Sequence, residues 1–302
     1  LSGEHGDGRL RGEFIPLMIG SRNYELLKQI KSVWDPSNIL NPGKITDTPS
    51  MNTSLRFDPG KPVKSIQTVF DFTHDQGIIR AVERCNGSGD CRKTEIIGGT
   101  MCPSFMATRD ERNTTRARAN VLREFITNST KKNPFNHKEI YEIMDLCLSC
   151  KACKSECPSN VDMAKLKAEF LQHYYDSNGI PLRTRAIAYI TSLNKVLSMF
   201  PGISNFFLSN KITAQSINYL LRFASQRSIP LLAPTTLTKW FQTNHNARQR
   251  NNRKVFLFAD EFTNYNDSEI GIYTVLLLER LGYEVVIPKH LESGRTFISK
   301  GL

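Results

Sequence analysis

The chain has 302 residues, of which 39% are hydrophobic and 23% are charged, and its formal net charge is +11. This length allows two or three domains of ordinary globular composition, and the lack of any run of about 18 apolar residues excludes a membrane-spanning helix. The positive charge favours anionic partners, but no nucleic-acid-binding motif accompanies it, so we expect no nucleic acid to bind.

The amino-terminal region begins with a glycine-rich loop, G-E-H-G-D-G-R, at residues 3–9. A helix is predicted from Asn23 to Val33, because apolar residues recur there at helical spacing. The turn-forming stretch D-P-S-N-I-L-N-P-G-K at 35–44 ends it. We expect residues 1–46 to form one domain segment and residues 47–67, which carry Pro, Ser, Asn and Gly, to form a linker.

Helices alternate with cysteine motifs in residues 68–180, and we predict them at 115–128, 137–146 and 163–177. Residues 181–250 form a predicted helical connector that ends in a basic, polar hinge. In residues 251–302, a strand at 255–259, a helix at 269–281 and a strand at 283–287 predict one β-α-β unit. The expected fold class is therefore mixed and multidomain, with an α-helical, cysteine-bearing domain in the middle and the start of an α/β domain at the end.

All seven cysteines lie between residues 85 and 157, which favours metal ligation in a reducing compartment over a disulfide scaffold. Cys147, Cys150, Cys153 and Cys157 form C-x2-C-x2-C-x3-C-P, a ferredoxin spacing whose fourth cysteine ligates the neighbouring cluster. Zinc is the weaker alternative, because structural zinc sites pair C-x2-C with a distant second pair.

The upstream cysteines resemble the same motif with Ser88 in place of the second cysteine and a ten-residue insertion before Cys102-Pro103. Exchange of fourth ligands predicts one [4Fe-4S] cluster, bound by Cys147, Cys150, Cys153 and Cys102. A second cluster would take Cys85, Cys91 and Cys157, three thiolates that suit [3Fe-4S] or a [4Fe-4S] with one non-cysteine ligand. The alternative is a single cluster, with structural upstream cysteines. We expect the arginines of 109–120 to form salt bridges and to support the clusters.

Two amino-terminal stretches, G-E-H-G-D-G and D-P-S-N-I-L-N-P-G-K, resemble the C-terminal end of the FAD-linked oxidase family, which includes D-lactate and D-2-hydroxyglutarate dehydrogenases. The resemblance implies that His5 is the catalytic base at the substrate face of FAD and that Glu4 ligates a divalent metal such as zinc. It makes Asn41 a cofactor-binding candidate, and it implies that residues 1–46 are the end of an α+β cap domain of this family. Arg9 and Arg11 are candidates for binding the substrate carboxylate. On composition alone, this loop would be an ordinary surface turn.

The stretches C-N-G-S-G-D-C-R-K, G-G-T-M-C-P-S-F, T-T-R-A-R-A-N and the motif at 147–158 resemble the iron-sulfur part of large fused FAD/iron-sulfur oxidoreductases of the D-2-hydroxyglutarate dehydrogenase type. Residues 255–302 resemble the start of a heterodisulfide-reductase-like cysteine-rich domain. E-S-G stands at 292–294 where C-C-G is usual, so we predict no cysteine-bound centre there. By this resemblance the FAD-binding domain would precede Leu1, and we interpret the chain as the distal part of a longer protein.

The resemblance implies a cytoplasmic 2-hydroxyacid dehydrogenase that passes electrons from FAD through its clusters to a quinone or another carrier. Its partners would be the 2-hydroxyacid and the electron acceptor, and we expect the full-length protein to be a homo-oligomer. Residues 186–241 would form a core helix pair or lie peripherally on the inner face of the membrane. The alternative functions are an iron-sulfur module that serves another dehydrogenase and a zinc-stapled interaction protein.

Overall fold

The computed structural model describes residues 3–55, 60, 64–244 and 253–302. The chain divides into two compact units, residues 1–63 and 64–302. The boundary between them falls inside the stretch 47–67 that we predict to be a linker. The finer division of the second unit at 180 and 250 stays a prediction, and most of the predicted basic hinge lies outside the described residues.

The first unit contains two helices, α1 (Ile15–Ile19) and α2 (Ser21–Trp34), and its described residues contain no strand. The predicted helix is thus present, two residues longer at its start and one at its end. The carboxylate of Asp35 stops α2, because it accepts the backbone N–H groups of Ile39 at 3.0 Å and Leu40 at 2.9 Å and pairs with Lys31. No residue of α2 is buried.

The second unit is mostly helical. Its first helices are α3 (Ile78–Glu83), α4 (Pro103–Thr108), α5 (Thr115–Asn128), α6 (Lys138–Asp145), α7 (Ala152–Glu156) and α8 (Met163–Asn178). The connector follows with α9 (Leu182–Ala188), α10 (Ile190–Leu197), α11 (Pro201–Ser209), α12 (Lys211–Leu220) and α13 (Leu237–Asn244). The last part contains β1 (Lys254–Phe256), α14 (Glu261–Tyr265), α15 (Ser268–Arg280), β2 (Glu284–Val286) and α16 (Arg295–Ile298).

The largest apolar core lies among α3, α5, α6 and α8, whose inward residues Ile78, Leu122, Ile140 and Phe170 are almost completely buried. The start of α5 is fixed by Thr114, whose hydroxyl accepts the backbone N–H of Ala117 at 3.0 Å, as an N-cap does. This packed core carries the cysteine-bearing loops, which connect its helices.

The sheet is small. Strands β1 and β2 pair in parallel, with Val255 opposite Val285 and α15 as the crossover. This confirms the order strand, helix, strand, but each strand is three residues long rather than five. Among the described residues each strand has a single partner, so pairing stops where that short partner ends. The fold class is therefore more helical than we expected.

The connector leaves large apolar side chains at the surface. The most exposed in α10–α12 and their links include Val196, Met199, Phe200, Ile203, Phe206, Ile212 and Tyr219. Helices α11 and α12 contact each other, and both alternatives for residues 186–241, a core helix pair or a membrane-surface segment, stay predictions. Among the described residues, no helix is both long and apolar enough to cross a bilayer.

Candidate metal centre

Four cysteines from two loops line one small cavity of the second unit. Cys147 and Cys150 lie in the turn between α6 and α7, Cys153 lies in the first turn of α7, and Cys102 directly precedes α4. Ser149 and Lys151 within that turn have positive φ angles of 54° and 63°, which lets the chain reverse tightly. The ligand-exchange argument assigns the same four cysteines to one cluster.

Glu156 holds the Cys102 loop against α7. Its carboxylate accepts the backbone N–H of Thr100 at 2.8 Å and that of Met101 at 3.0 Å, and also the Thr100 hydroxyl at 2.6 Å. The hydroxyl is the main reason that the pKa of Glu156 lies below its ordinary value. A Cβ at Gly99 would stand 2.7 Å from the same carboxylate, so the loop needs glycine at this point, where φ is +88°.

The amino terminus of α5 points at the sulfur of Cys102. Thr115 donates its backbone N–H to Cys102 Sγ at 3.1 Å, and its hydroxyl oxygen lies 2.9 Å from the same atom. Helix amino termini favour negative charge because their N–H groups have no partner within the helix. The arrangement therefore suits a thiolate at Cys102.

The remaining cysteines do not line this cavity. Cys85, Cys91 and Cys157 are all buried, and Arg116 feels the charges of Cys85 and Cys91. The interaction between the sulfurs of Cys91 and Cys102 lowers the pKa of Cys91 to about 6 and raises the pKa of Cys102. The assignment of Cys157 to a second cluster stays a prediction.

In the first unit, the glycine-rich loop and the N-P-G-K turn are hydrogen-bonded to each other through Ile45 N–H and Gly8 C=O at 3.2 Å. Glu4 and His5 are exposed, and Nε2 of His5 lies 3.2 Å from Oε1 of Glu4. His5 has φ +62°, a left-handed conformation that projects it from the loop.

The other candidates of this unit surround that loop. Arg11 donates to the carbonyl of Gly6 at 3.2 Å and lies 3.7 Å from the carboxylate of Asp7. Arg9 is exposed. Asn41 accepts a hydrogen bond from Lys44 Nζ at 3.1 Å. Their roles toward substrate and cofactor stay predictions.

Comparison with known proteins gives two family matches. Residues 1–45 match the model of FAD linked oxidases, C-terminal domain, and residues 84–162 match that of the 4Fe-4S dicluster domain. The chain joins the C-terminal part of an FAD-linked oxidase to a 4Fe-4S dicluster domain. The resemblance inferred from the two amino-terminal stretches and the cysteine motifs is thereby confirmed.

The chain is also homologous over its full length to D-2-hydroxyglutarate dehydrogenases. It is 26% identical to that of Escherichia coli and 27% identical to that of Pantoea ananatis, with all of this chain and 33% of each relative covered. The chain thus spans about a third of the length of these relatives. A glycolate oxidase subunit, GlcD of Bacillus subtilis, is 36% identical over 45 residues, which are 15% of this chain and 10% of the relative. No solved structure matches the chain.

The donor set of the cavity fits the cluster that a dicluster domain carries. Within the described part of the chain, no three His, Cys, Asp or Glu side chains form a group that could hold a single metal ion. A cubane takes one thiolate at each of four irons, so its ligands surround a larger volume than those of one ion. Four soft thiolates around one cavity are what an iron-sulfur cluster requires.

In the region after the oxidase and dicluster segments, Ser293 of the E-S-G position belongs to a network of two carboxylates and one arginine. Ser293 Oγ donates to Glu261 at 2.7 Å, Arg295 Nε donates to the same carboxylate at 2.9 Å, and Arg295 also pairs with Asp260 at 2.7 Å. Glu261 is buried. Acceptor and donor groups satisfy one another here, which makes the network a structural one.

Several functional residues escape sequence reasoning. Thr115 contacts Cys102 from 13 residues away, and Glu156 contacts Met101, next to Cys102, from 55 residues away. The motif spacing names the sulfurs but carries no signal for partners that only folding brings together. The salt bridges predicted for the arginines of 109–120 are present at Arg109, Arg112 and Arg116, and their support of the clusters stays a prediction.

Proposed function

We propose that the chain is the distal part of a flavin- and iron-sulfur-dependent 2-hydroxyacid dehydrogenase, with D-2-hydroxyglutarate as the first candidate substrate and D-lactate as the second. One observation carries the proposal: the cavity lined by Cys102, Cys147, Cys150 and Cys153 lies in a chain that also bears the E-H-G loop of the oxidase family. The alternative is an iron-sulfur module that serves another dehydrogenase.

At the substrate end, His5 would accept the proton of the α-hydroxyl group, and Glu4 beside it would hold the divalent metal that orients that hydroxyl. Arg9 would bind a substrate carboxylate, with Arg11 as the second cation. A dicarboxylate such as D-2-hydroxyglutarate can form an ion pair with each of two cations, which supports it as the first candidate. Asn41 would approach the cofactor from the N-P-G-K turn.

FAD supplies a hydride acceptor and iron-sulfur clusters supply single-electron carriers. The residues of this chain contribute the ligands and their fixed surroundings. The Cys102 sulfur is held in place by Thr115 and by the loop that Glu156 anchors, so the two halves of the ligand set are kept at a constant separation. A rigid ligand set limits the rearrangement that each electron transfer demands.

The acceptor would be a quinone or another carrier reached from the cytoplasmic side. The exposed apolar residues of α10–α12 are interspersed with Lys195 and Lys211, which supports a peripheral contact with an anionic membrane surface. Flotation of the full-length protein with phosphatidylserine vesicles tests this contact. We expect flotation that is lost when Phe206 and Phe207 are changed to Ser, and no flotation of the wild type would exclude the contact.

The enzymatic proposal is tested on the full-length protein. Under anaerobic conditions, D-2-hydroxyglutarate, D-lactate and glycolate are each mixed with the oxidised protein, and flavin and cluster absorbance are followed. We expect D-2-hydroxyglutarate to bleach both, and His5→Gln to slow the bleaching by about 100-fold or more. His74→Gln, an exposed histidine of the second unit, is the control.

Dithionite should still reduce the clusters of His5→Gln, since its ligand set is intact. The proposal fails if none of the three acids reduces the flavin, or if His5→Gln reacts as fast as the wild type. Cluster reduction that needs a separate flavoprotein would favour the electron-transfer module.

A further inference from the structure

Arg118, in α5, is buried but has no carboxylate partner among the described residues. It is 2% exposed and lines the cavity of Cys102, Cys147, Cys150 and Cys153. The guanidinium donates to the carbonyl of Ile143 at 3.0 Å, to that of Asn113 at 2.8 Å and to the hydroxyl of Ser104 at 3.1 Å. Among the described residues, all of these partners are uncharged.

The other arginines of the same segment are paired. Arg109 pairs with Glu95, Arg112 with Asp110 at 2.7 Å, and Arg116 with Glu111 through Nε at 3.1 Å. These three lie nearer to solvent than Arg118, where ion pairing is worth little. Arg118, which lines the thiol cavity, is therefore the arginine of this segment that has no carboxylate partner among the described residues.

Lys167, in α8, is a second buried cation of this kind. Its residue is 8% exposed, and its Nζ donates to the carbonyl of Cys147 at 2.7 Å and to that of Asp145 at 3.4 Å. Lys167 and Arg118 thus both lie beside the turn that carries Cys147.

Burying one cation without an anion costs several kcal/mol, and a second cation nearby adds repulsion. Carbonyl oxygens offset part of this cost but carry no net charge. An anion in the cavity that Arg118 lines, beside the turn whose carbonyl Lys167 contacts, would offset the rest of this cost. A cubane with four thiolates has a net negative charge, which grows by one when it accepts an electron.

We propose that Arg118 and Lys167 are the fixed counter-charges of the cluster held by Cys102, Cys147, Cys150 and Cys153, and that they raise its reduction potential so that reduced flavin can donate to it. This inference rests on the proposed iron-sulfur function. The electron comes from the reduced flavin, and the cluster is reduced by one electron. Fixed positive charge stabilises the more negative reduced form more than the oxidised form, so the midpoint rises.

Both residues also position ligands. Arg118 connects Ser104 next to the Cys102 loop with Ile143 at the end of α6, and Lys167 fixes the carbonyl of Cys147. A purely structural brace would contribute to stability but would leave the midpoint potential unchanged. The potential therefore distinguishes a charge role from a bracing role.

The test uses the full-length holoprotein with Lys167→Met, Lys167→Arg, Arg118→Gln and Arg118→Lys. Met has nearly the length of Lys and suits a buried position, so Lys167→Met carries a small risk of misfolding. Arg112→Gln removes an arginine of the same segment that is paired and exposed, and it is the matched control. The readouts are iron and sulfide content, a redox titration followed by electron paramagnetic resonance, and the rate of iron loss to a chelator.

We expect Lys167→Met to lower the midpoint potential of one centre by about 59 mV. This shift corresponds to a change of about tenfold in the oxidised-to-reduced ratio of that centre at a fixed potential. The midpoint of the other centre should not change. Arg118→Gln should shift the same centre or lose its iron faster, whereas Arg118→Lys and Lys167→Arg should keep the potential near the wild-type value. Arg112→Gln should match the wild type in all readouts.

The inference would be overturned if the midpoint potential stayed at the wild-type value in Lys167→Met and in every Arg118 variant that retains its cluster. That result would leave the proposed iron-sulfur function intact. A shift in Arg112→Gln as large as in Lys167→Met would overturn it too, since any lost cation would then act alike. A wild-type protein without iron would instead refute the proposed function on which the inference rests.

Discussion

Thr115 donates its backbone N–H to the sulfur of Cys102 at 3.1 Å, while its hydroxyl oxygen lies 2.9 Å from the same sulfur. The first residue of α5 thereby contacts the one proposed ligand that comes from outside the C-x2-C-x2-C turn. Hydrogen bonds to a thiolate stabilise its charge and tune the cluster that it binds. The contact links the packing of the helical core to the chemistry of the site.

Thr115→Val removes the hydroxyl and keeps the backbone donor. We expect iron to leave the cluster several times faster in the presence of a chelator, because one of two donors to Cys102 is lost. Thr127→Val in the same helix is the control, since the hydroxyl of Thr127 has no hydrogen-bond partner among the described residues. Equal rates of iron loss in the two variants would show that the Thr115 hydroxyl does not support the ligand.

Glu156→Gln tests the anchor of the Cys102 loop. The carboxylate accepts three hydrogen bonds from Thr100 and Met101, and an amide has only one oxygen to offer them. We expect lower iron content after anaerobic purification, with the loss confined to the cluster that includes Cys102. Glu142→Gln, an exposed glutamate paired with Lys138, should keep its full iron content.

Glu169→Gln tests a buried carboxylate of the core. Glu169 is fully buried and accepts the backbone N–H groups of Val69 and Phe70 at 2.9 Å and His173 Nε2 at 2.9 Å. Burial would raise the pKa of Glu169, but these hydrogen bonds hold that pKa below its ordinary value of 4.5. We expect the variant to lose about 2 kcal/mol of unfolding free energy at neutral pH.

The pH dependence of that loss has a definite sign. Because the folded pKa of Glu169 is lowered, its contribution is complete above the unfolded pKa and disappears as the pH falls through the folded pKa. The difference in unfolding free energy between wild type and Glu169→Gln should therefore shrink below about pH 4.5. A difference that stays constant down to acid pH would contradict the role of the ionised carboxylate.

Arg295→Met tests the network at the E-S-G position. It leaves Glu261 buried with Ser293 as its remaining side-chain partner. We expect a loss of about 2 kcal/mol in unfolding free energy, less than for a fully buried pair because half of the arginine side chain is exposed. Iron content should not change, and Arg280→Met, at the exposed end of α15, should behave as the wild type.

The sequence predicts those features of the fold that depend on residues close together in the chain, and it predicts features with distant partners less well. Helix α5 was predicted at 115–128 and found at Thr115–Asn128, because its N-cap and apolar spacing are local signals. The strands were predicted as five residues each and found as three, because strand length depends on a partner about 30 residues away. Local patterns thus locate helices well and overestimate this sheet.

The residues of the candidate site also fall into two groups, those that local spacing predicts and those that only the fold brings together. Spacing alone identified the cysteines, and the structure lines one cavity with Cys102 and the Cys147–Cys153 turn. Spacing could not select Arg118 from its neighbours, because the choice depends on burial and on which arginines find carboxylates. Lys167 lies 20 residues from Cys147 on another helix, so nothing in the motif points to it.

The central claim is that two clusters exchange their fourth ligands, with Cys102 belonging to the downstream set and Cys157 to the upstream set. Iron, sulfide and electron paramagnetic resonance of anaerobically purified wild type, Cys102→Ser and Cys157→Ser test it most directly. We predict about seven or eight irons per chain in the wild type. Cys102→Ser should perturb the cluster that Cys150→Ser destroys, and Cys157→Ser should perturb the other. A wild-type protein without iron would contradict the account. It would also be contradicted if Cys102→Ser altered the signal of the cluster that Cys150→Ser leaves intact.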